Sequence, residues 1–178
     1  MKYYTLIGSR ETPEEILELM TEASRKLAWS GWTGRSGGAG GADKCLEYGC
    51  EDLPDMMEVF LPWDGFNGCY SKNIGYINTP NLPAYSVAQE LAEELHPNWK
   101  ACSRGARGLH TRNCMQILGK GMKTPSKFVL CYGIPTDDKG NVKGGTGQAC
   151  RLAISVGVEI LNLYHEDVQQ RVKGWLEI

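Results

Sequence analysis

The sequence has no apolar run of the roughly 18 residues that a membrane-spanning helix requires. Its first residues lack the basic segment, apolar core and small-residue cleavage site of a secretory signal. These absences argue against membrane and secreted proteins and predict a soluble, cytoplasmic one. None of the seven cysteines stands in a CxxC pair and their number is odd, which speaks against a disulfide framework and a structural zinc knot. No metal site is expected. There is no GxxxxGK[ST], which excludes a P-loop kinase or ATPase. The glycines around Gly37 do not make a GxGxxG followed by an acidic residue at the right later strand, which excludes the standard dinucleotide fingerprint. Internal repeats and low-complexity tracts are absent too, so a solenoid or a disordered tail is not expected.

What remains is ordinary globular material: 178 residues, 42% hydrophobic and 22% charged, enough for one domain with a sizeable core. A net charge of -2 does not favour indiscriminate coating of a phosphate backbone. The charge is unevenly spread, however. Seven Lys or Arg residues fall between Lys100 and Lys127 with no Asp or Glu among them. Such a segment reads either as a solvated basic face or as a surface that meets an anion.

Short apolar, β-favouring runs at Tyr3–Ile7, from Trp32, at Met57–Leu61, Lys127–Tyr132 and Val158–Tyr164 alternate with helical patterns. The helices are expected from Pro13 to Leu27, Gly41 to Cys50, Ala84 to Leu95, Thr111 to Leu118, Thr146 to Val156 and Glu166 to Leu176. This alternation predicts an α/β, Rossmann-like doubly wound fold: a mainly parallel sheet of about five strands with helices on both faces, forming a single domain over 1–178. Residues 62–83, rich in Gly, Asn, Pro and aromatics, read as an irregular excursion.

In such a sheet ligands bind at the carboxyl ends of the strands. Three segments fall there. Gly8-Ser9-Arg10 offers close approach, a hydroxyl and a guanidinium fork suited to phosphate. The run Gly34-Arg35-Ser36-Gly37-Gly38-Ala39-Gly40-Gly41-Ala42-Asp43 carries a strand into a helix through glycines, and Gly144-Gly145-Thr146-Gly147-Gln148 opens another helix. Free N–H groups at a helix start point toward an anion, and glycines leave it room. Asp43 is either a helix-start carboxylate or a partner for a ribose hydroxyl. Trp63, Phe66, Tyr70, Tyr76, Tyr85 and Trp99 stand near the basic segment, as stacking platforms for bases or as packing for their own loop. His110 offers an acid or base, or a packing residue.

Taken together, GSR near the start, SGGAGGAD some thirty residues later, Arg112-Asn113, and GGTGQACRLA near the end resemble the SLOG superfamily of Rossmann-like nucleotide-binding proteins. Its branches include DprA-like DNA-processing proteins and LOG phosphoribohydrolases, and the chain looks like small stand-alone bacterial or phage members. The resemblance implies a nucleotide-type ligand, with no required cofactor, held by Gly8, Ser9, Arg10, Arg35, Ser36, Gly37, Gly38, Gly40, Asp43, Arg112, Asn113, Gly144, Gly145, Thr146 and Gly147. LOG hydrolases carry a PGGxGTxxE motif, whereas the corresponding run here, Lys143 to Cys150, is read as placing Cys150 where the glutamate belongs. Cleavage of an N-glycosidic bond requires a carboxylate, which leaves Glu11 or Asp43 as catalytic candidates. The expected function is capture of a nucleotide or nucleotide-derived small molecule without turnover. Single-stranded DNA binding as a recombination mediator and nucleoside-monophosphate hydrolysis are the alternatives. A homodimer is also expected, because the helices Ala84–Leu95 and Thr111–Leu118 offer apolar faces beyond those one sheet must cover.

Overall fold

The computed structural model describes residues 1–178. Its centre is β1 (Lys2–Gly8), whose alternate side chains enter opposite layers, Tyr4 and Leu6 on one side and Ile7 on the other. The chain then forms α1 (Glu14–Trp29), β2 (Trp32–Ser36), α2 (Lys44–Gly49), β3 (Met57–Leu61), β4 (Tyr76–Asn78), α3 (Tyr85–Leu95), α4 (Arg104–Leu118), β5 (Phe128–Tyr132), α5 (Thr146–Ser155), β6 (Glu159–Asn162) and α6 (Glu166–Leu176). Six strands make one sheet in the order β4-β3-β2-β1-β5-β6, every neighbour parallel. The fold is α/β, doubly wound and Rossmann-like.

Both faces are covered. Ile16, Leu19, Met20, Ala23 and Leu27 of α1 pack with Leu46 of α2 and Val172 and Leu176 of α6 over one side of the sheet. Ala88 and Ala92 of α3, Met115 and Ile117 of α4 and Leu152 of α5 cover the other. Pro13 precedes α1, Glu14 and Glu15 occupy its first turn and Lys26 its last, each where the helix dipole favours it. No helix is long and apolar enough to cross a membrane.

Three details differ from the sequence reading. The sheet has a sixth strand, β4, inside the stretch 62–83, where three residues are too few to show a periodic pattern. The helix expected to start near Thr111 begins at Arg104, capped by Ser103, whose hydroxyl accepts the Ala106 N–H at 3.1 Å. Gly105 and Gly108 weaken the helical signal in that first stretch, although a Cβ at either would make only ordinary contacts with Pro62 and Trp63, at 3.8–3.9 Å. Finally, of the apolar faces of α3 and α4 expected to be spare for a second copy, Ala88, Ala92 and Met115 are buried in one cluster within the chain, while Val87 stays exposed.

The basic segment is likewise divided. A helix of 15 residues spans about 22 Å, so Lys100 and Arg104 stand at one end of α4 while Lys120, Lys123 and Lys127 follow the other. Arg107 is turned back onto Trp99, donating to its carbonyl at 3.2 and 3.3 Å. These residues do not make a single cationic face.

Candidate anion-binding crevice

The order of the sheet reverses between β1 and β5, and the segments leaving those strands diverge there. Between them lies a cavity of about 380 Å³. Gly8, Ser9 and Arg10 form one wall, Lys143, Gly144, Gly145 and Thr146 the opposite one, and Asp43, His110, Arg112, Asn113 and Gln116 line it from the α2 and α4 sides. The volume falls in the range of small-ligand sites. A wider groove of about 610 Å³ lies between the turn Asp137–Asn141 and β6, but its charged side chains are mainly acidic, and Asp137 is already bonded to Lys139 and Asn141 of its own turn.

Arg112 dominates the electrostatics. The residue is only 6% exposed, yet no carboxylate stands within 4.0 Å of its guanidinium. Nη1 is held by Asn113 Oδ1, while the buried Nε has no partner. Burial lowers the pKa of this guanidinium, nearby Asp43 pulls it back up, and Arg10 adds a second like charge. Burying an ion without a close counter-ion costs several kcal/mol. The site concentrates that cost where Arg10 and Lys143 add further positive charge.

The protein's own anion here is committed elsewhere. Burial raises the Asp43 carboxyl to about 6, against the Arg112 charge and the nearby N–H groups of Ala39, Gly8 and Gly37. Ala39 donates to its Oδ2 at 3.4 Å, which braces the glycine turn after β2. Opposite it, the amides of Gly144, Gly145 and Thr146 have no backbone partner, and α5 starts without a side-chain cap. Three free N–H groups at a helix start carry the positive end of its dipole. Asn113 couples the two walls, with Oδ1 on Arg112 and Nδ2 3.5 Å from the Gly145 carbonyl and 3.4 Å from Gln148 Oε1.

The cavity thus gathers nine of the residues that the resemblance assigns to the ligand, Gly8, Ser9, Arg10, Asp43, Arg112, Asn113, Gly144, Gly145 and Thr146, together with His110. Others lie outside it. Arg35 is a correction: it is 2% exposed, on the face of β2 turned toward the end of α4. There it donates to Glu58 at 3.2 Å and to the Thr124 carbonyl at 2.6 Å, with its guanidinium 4.0 Å over the Tyr3 ring. Strand alternation sends it beneath the sheet, not toward the strand end. Ser36 is buried and bonded to the Asp43 carbonyl at 3.4 Å. Gly38 (φ +71°) packs on Val59 and Leu61 and accepts from Asn67, and Gly40 does not line the cavity. Gly147 sits behind the wall, where a Cβ would stand 2.6 Å from the Val142 carbonyl oxygen. Glu11 is exposed and its side chain does not line the cavity.

None of the six aromatics singled out lines the cavity either. Trp63 and Phe66 meet edge-on at 5.3 Å, Phe66 backs Arg112 at 5.6 Å, and Tyr76 donates to Glu47 at 2.6 Å. Cys150, read above as standing at the hydrolase glutamate, is fully buried, and a residue-by-residue count of the motif corrects that position to Arg151, which is exposed. Sequence reasoning does not find Lys143 or Gln116, and it names Gln148 only as the end of the run that opens α5. Lys143 directly precedes the glycine turn that opens α5, and that adjacency is a usable signal. The glutamines carry none, because their roles depend on α4 and α5 meeting. Gln148 donates to the His110 carbonyl at 3.1 Å and accepts from His110 Nδ1, whose pKa burial lowers. No protein-family model, curated protein or solved structure matches this chain.

Proposed function

We propose that the protein is a SLOG-type binding protein that captures a nucleotide or nucleotide-derived, phosphate-bearing small molecule in this crevice, as a sensor or a sequestering protein. The observation that carries the reading is Arg112: a buried guanidinium with no ion pair and a free Nε, facing a cavity rimmed by Arg10, Lys143 and three unpartnered amides. A phosphate has the charge and the acceptor oxygens that such donors suit. The volume exceeds what one phosphate fills, and Gln116 offers a polar side chain to the rest of the ligand. Capture without cleavage is supported by the lining carboxylate, Asp43, being buried and engaged by the Ala39 N–H.

The test is to denature freshly purified protein, identify any released nucleotide by mass spectrometry, and titrate a panel of nucleoside phosphates and dinucleotides by calorimetry. A phosphate-bearing ligand whose affinity falls at least tenfold in Arg112→Gln is expected. If every member of the panel fails to bind, or binds the variant equally well, the reading is wrong. Release of free base during incubation would replace capture with hydrolysis.

A further inference from the structure

Three side chains outside the proposed phosphate contacts meet where the end of α3, the segment before α4 and α4 itself come together. His96 ends α3, Cys102 precedes the Ser103 cap, and His110 lies on α4. One ligand atom from each lies within 4.8 Å of the other two, and all three residues are partly exposed. The imidazole centroids are 4.6 Å apart, and Cys102 Sγ is 3.6 Å from His96 Nε2 and 3.8 Å from Nδ1. Around a tetrahedral zinc ion, metal–sulfur and metal–nitrogen bonds of about 2.3 and 2.05 Å imply N···S separations near 3.6 Å and N···N separations near 3.3 Å. The His96–Cys102 pair already stands at that spacing.

The bonds around His110 favour ligation. Gln148 directs its NH2 to the His110 carbonyl at 3.1 Å, which leaves Oε1 to accept the N–H of His110 Nδ1. That bond leaves the Nε2 lone pair of His110 free, the arrangement by which a second group fixes a metal-ligating imidazole. His96 Nδ1 accepts the N–H of exposed Asn98 at 3.0 Å, which puts the ring proton on Nε2, so ligation through Nε2 gives up that bond and moves the proton to Nδ1, where water accepts it. Cys102 Sγ lies 3.5 Å from the Asn98 carbonyl, to which its thiol donates.

We propose that His96, Cys102 and His110 form a binding site for a zinc-class divalent ion at the margin of the crevice. Two imidazoles and a thiolate suit zinc or cobalt and not magnesium or calcium. On binding, the Cys102 thiol releases its proton to solvent and the sulfur takes the metal in its place. Three protein ligands leave a fourth position for water. The spacing His-x5-Cys-x7-His matches no familiar zinc pattern, so only the meeting of α3 and α4 reveals the cluster.

Titration of the chelator-treated full chain with cobalt(II) tests the site. Expected are a thiolate-to-cobalt charge-transfer band and visible bands of tetrahedral intensity that saturate at one equivalent and disappear when zinc is added. Cys102→Ser should abolish the charge-transfer band, and His96→Gln and His110→Gln should each weaken cobalt binding at least tenfold. Cys69→Ser, which alters a buried thiol beside Lys44, should change nothing. Each variant is checked by circular dichroism and read separately, so one that fails to fold leaves the other two to decide. Absence of the charge-transfer band in the wild type, or its survival in folded Cys102→Ser, overturns the proposal. Nucleotide binding is measured apart from this, so the failure of one site does not imply the failure of the other.

Discussion

A Cβ placed on Gly37 would stand 2.6 Å from Cζ of Arg112 and 2.7 Å from its Nε. The residue at the end of β2 is a glycine because a guanidinium occupies the space a side chain would fill. Gly37→Ala should therefore displace Arg112 and leave the backbone, which is not in the left-handed region there, unstrained. We expect nucleotide affinity to fall about tenfold, with a stability loss of roughly 1–2 kcal/mol. Calorimetric titration and denaturant melts of the same preparation measure both.

Arg112→Met should separate stability from binding. An unpaired buried cation is costly, and an apolar replacement of similar length is commonly neutral or stabilising. The melting temperature should hold or rise, while affinity drops by about 2–5 kcal/mol, as for a buried charged hydrogen bond. Arg10 is exposed, so Arg10→Ala should cost less, and its effect should shrink with added salt. A large fall in the melting temperature of Arg112→Met would mark that arginine as structural.

The two glycines opening α5 should respond differently. Gly144 has φ +79°, which an L side chain adopts only with strain, whereas Gly145 has φ -62° and open space where a Cβ would stand. Gly144→Ala should destabilise the protein by about 1 kcal/mol. Gly145→Val should change stability by less than about 0.5 kcal/mol and still reduce ligand affinity, because its side chain would project from the cavity wall. Equal thermal shifts in the two variants would contradict this assignment.

Asp43 makes stability depend on pH. Its folded value of about 6 lies above the ordinary 3.8, so between those values the native state holds a proton that the unfolded chain has lost. Stability therefore falls as pH rises through this window, and the penalty is complete above about 6. Asp43→Asn should flatten that slope, a difference of roughly 2–3 kcal/mol across the window. Urea melts at several pH values would show an unchanged slope if the carboxyl were not the source.

The periodicities of β1, α1, β3 and β5, and the glycine turns between strand and helix, were legible because each is local. Alternation of apolar residues and the positions of Pro, Gly and Glu follow from backbone geometry and the helix dipole, whatever the rest of the chain does. The parallel order of the sheet then followed from strands alternating with helices. β4 was not legible, since three residues carry no period, and the start of α4 was hidden by Gly105 and Gly108.

At the site, sequence alone identified the three segments that converge, because strand ends in a doubly wound sheet lie together. It could not sort Arg35 from Arg112. Both are arginines in suggestive runs, but one is carried by strand alternation to a partner in Glu58, and the other is carried by α4 into a cavity with no close counter-ion. That difference depends on which faces meet after packing, and so does the meeting of His96, Cys102 and His110. Residue type and spacing determine what each side chain can do; only the tertiary structure decides which charges are left unpaired and which ligands come within reach, because burial and neighbours set the cost of each.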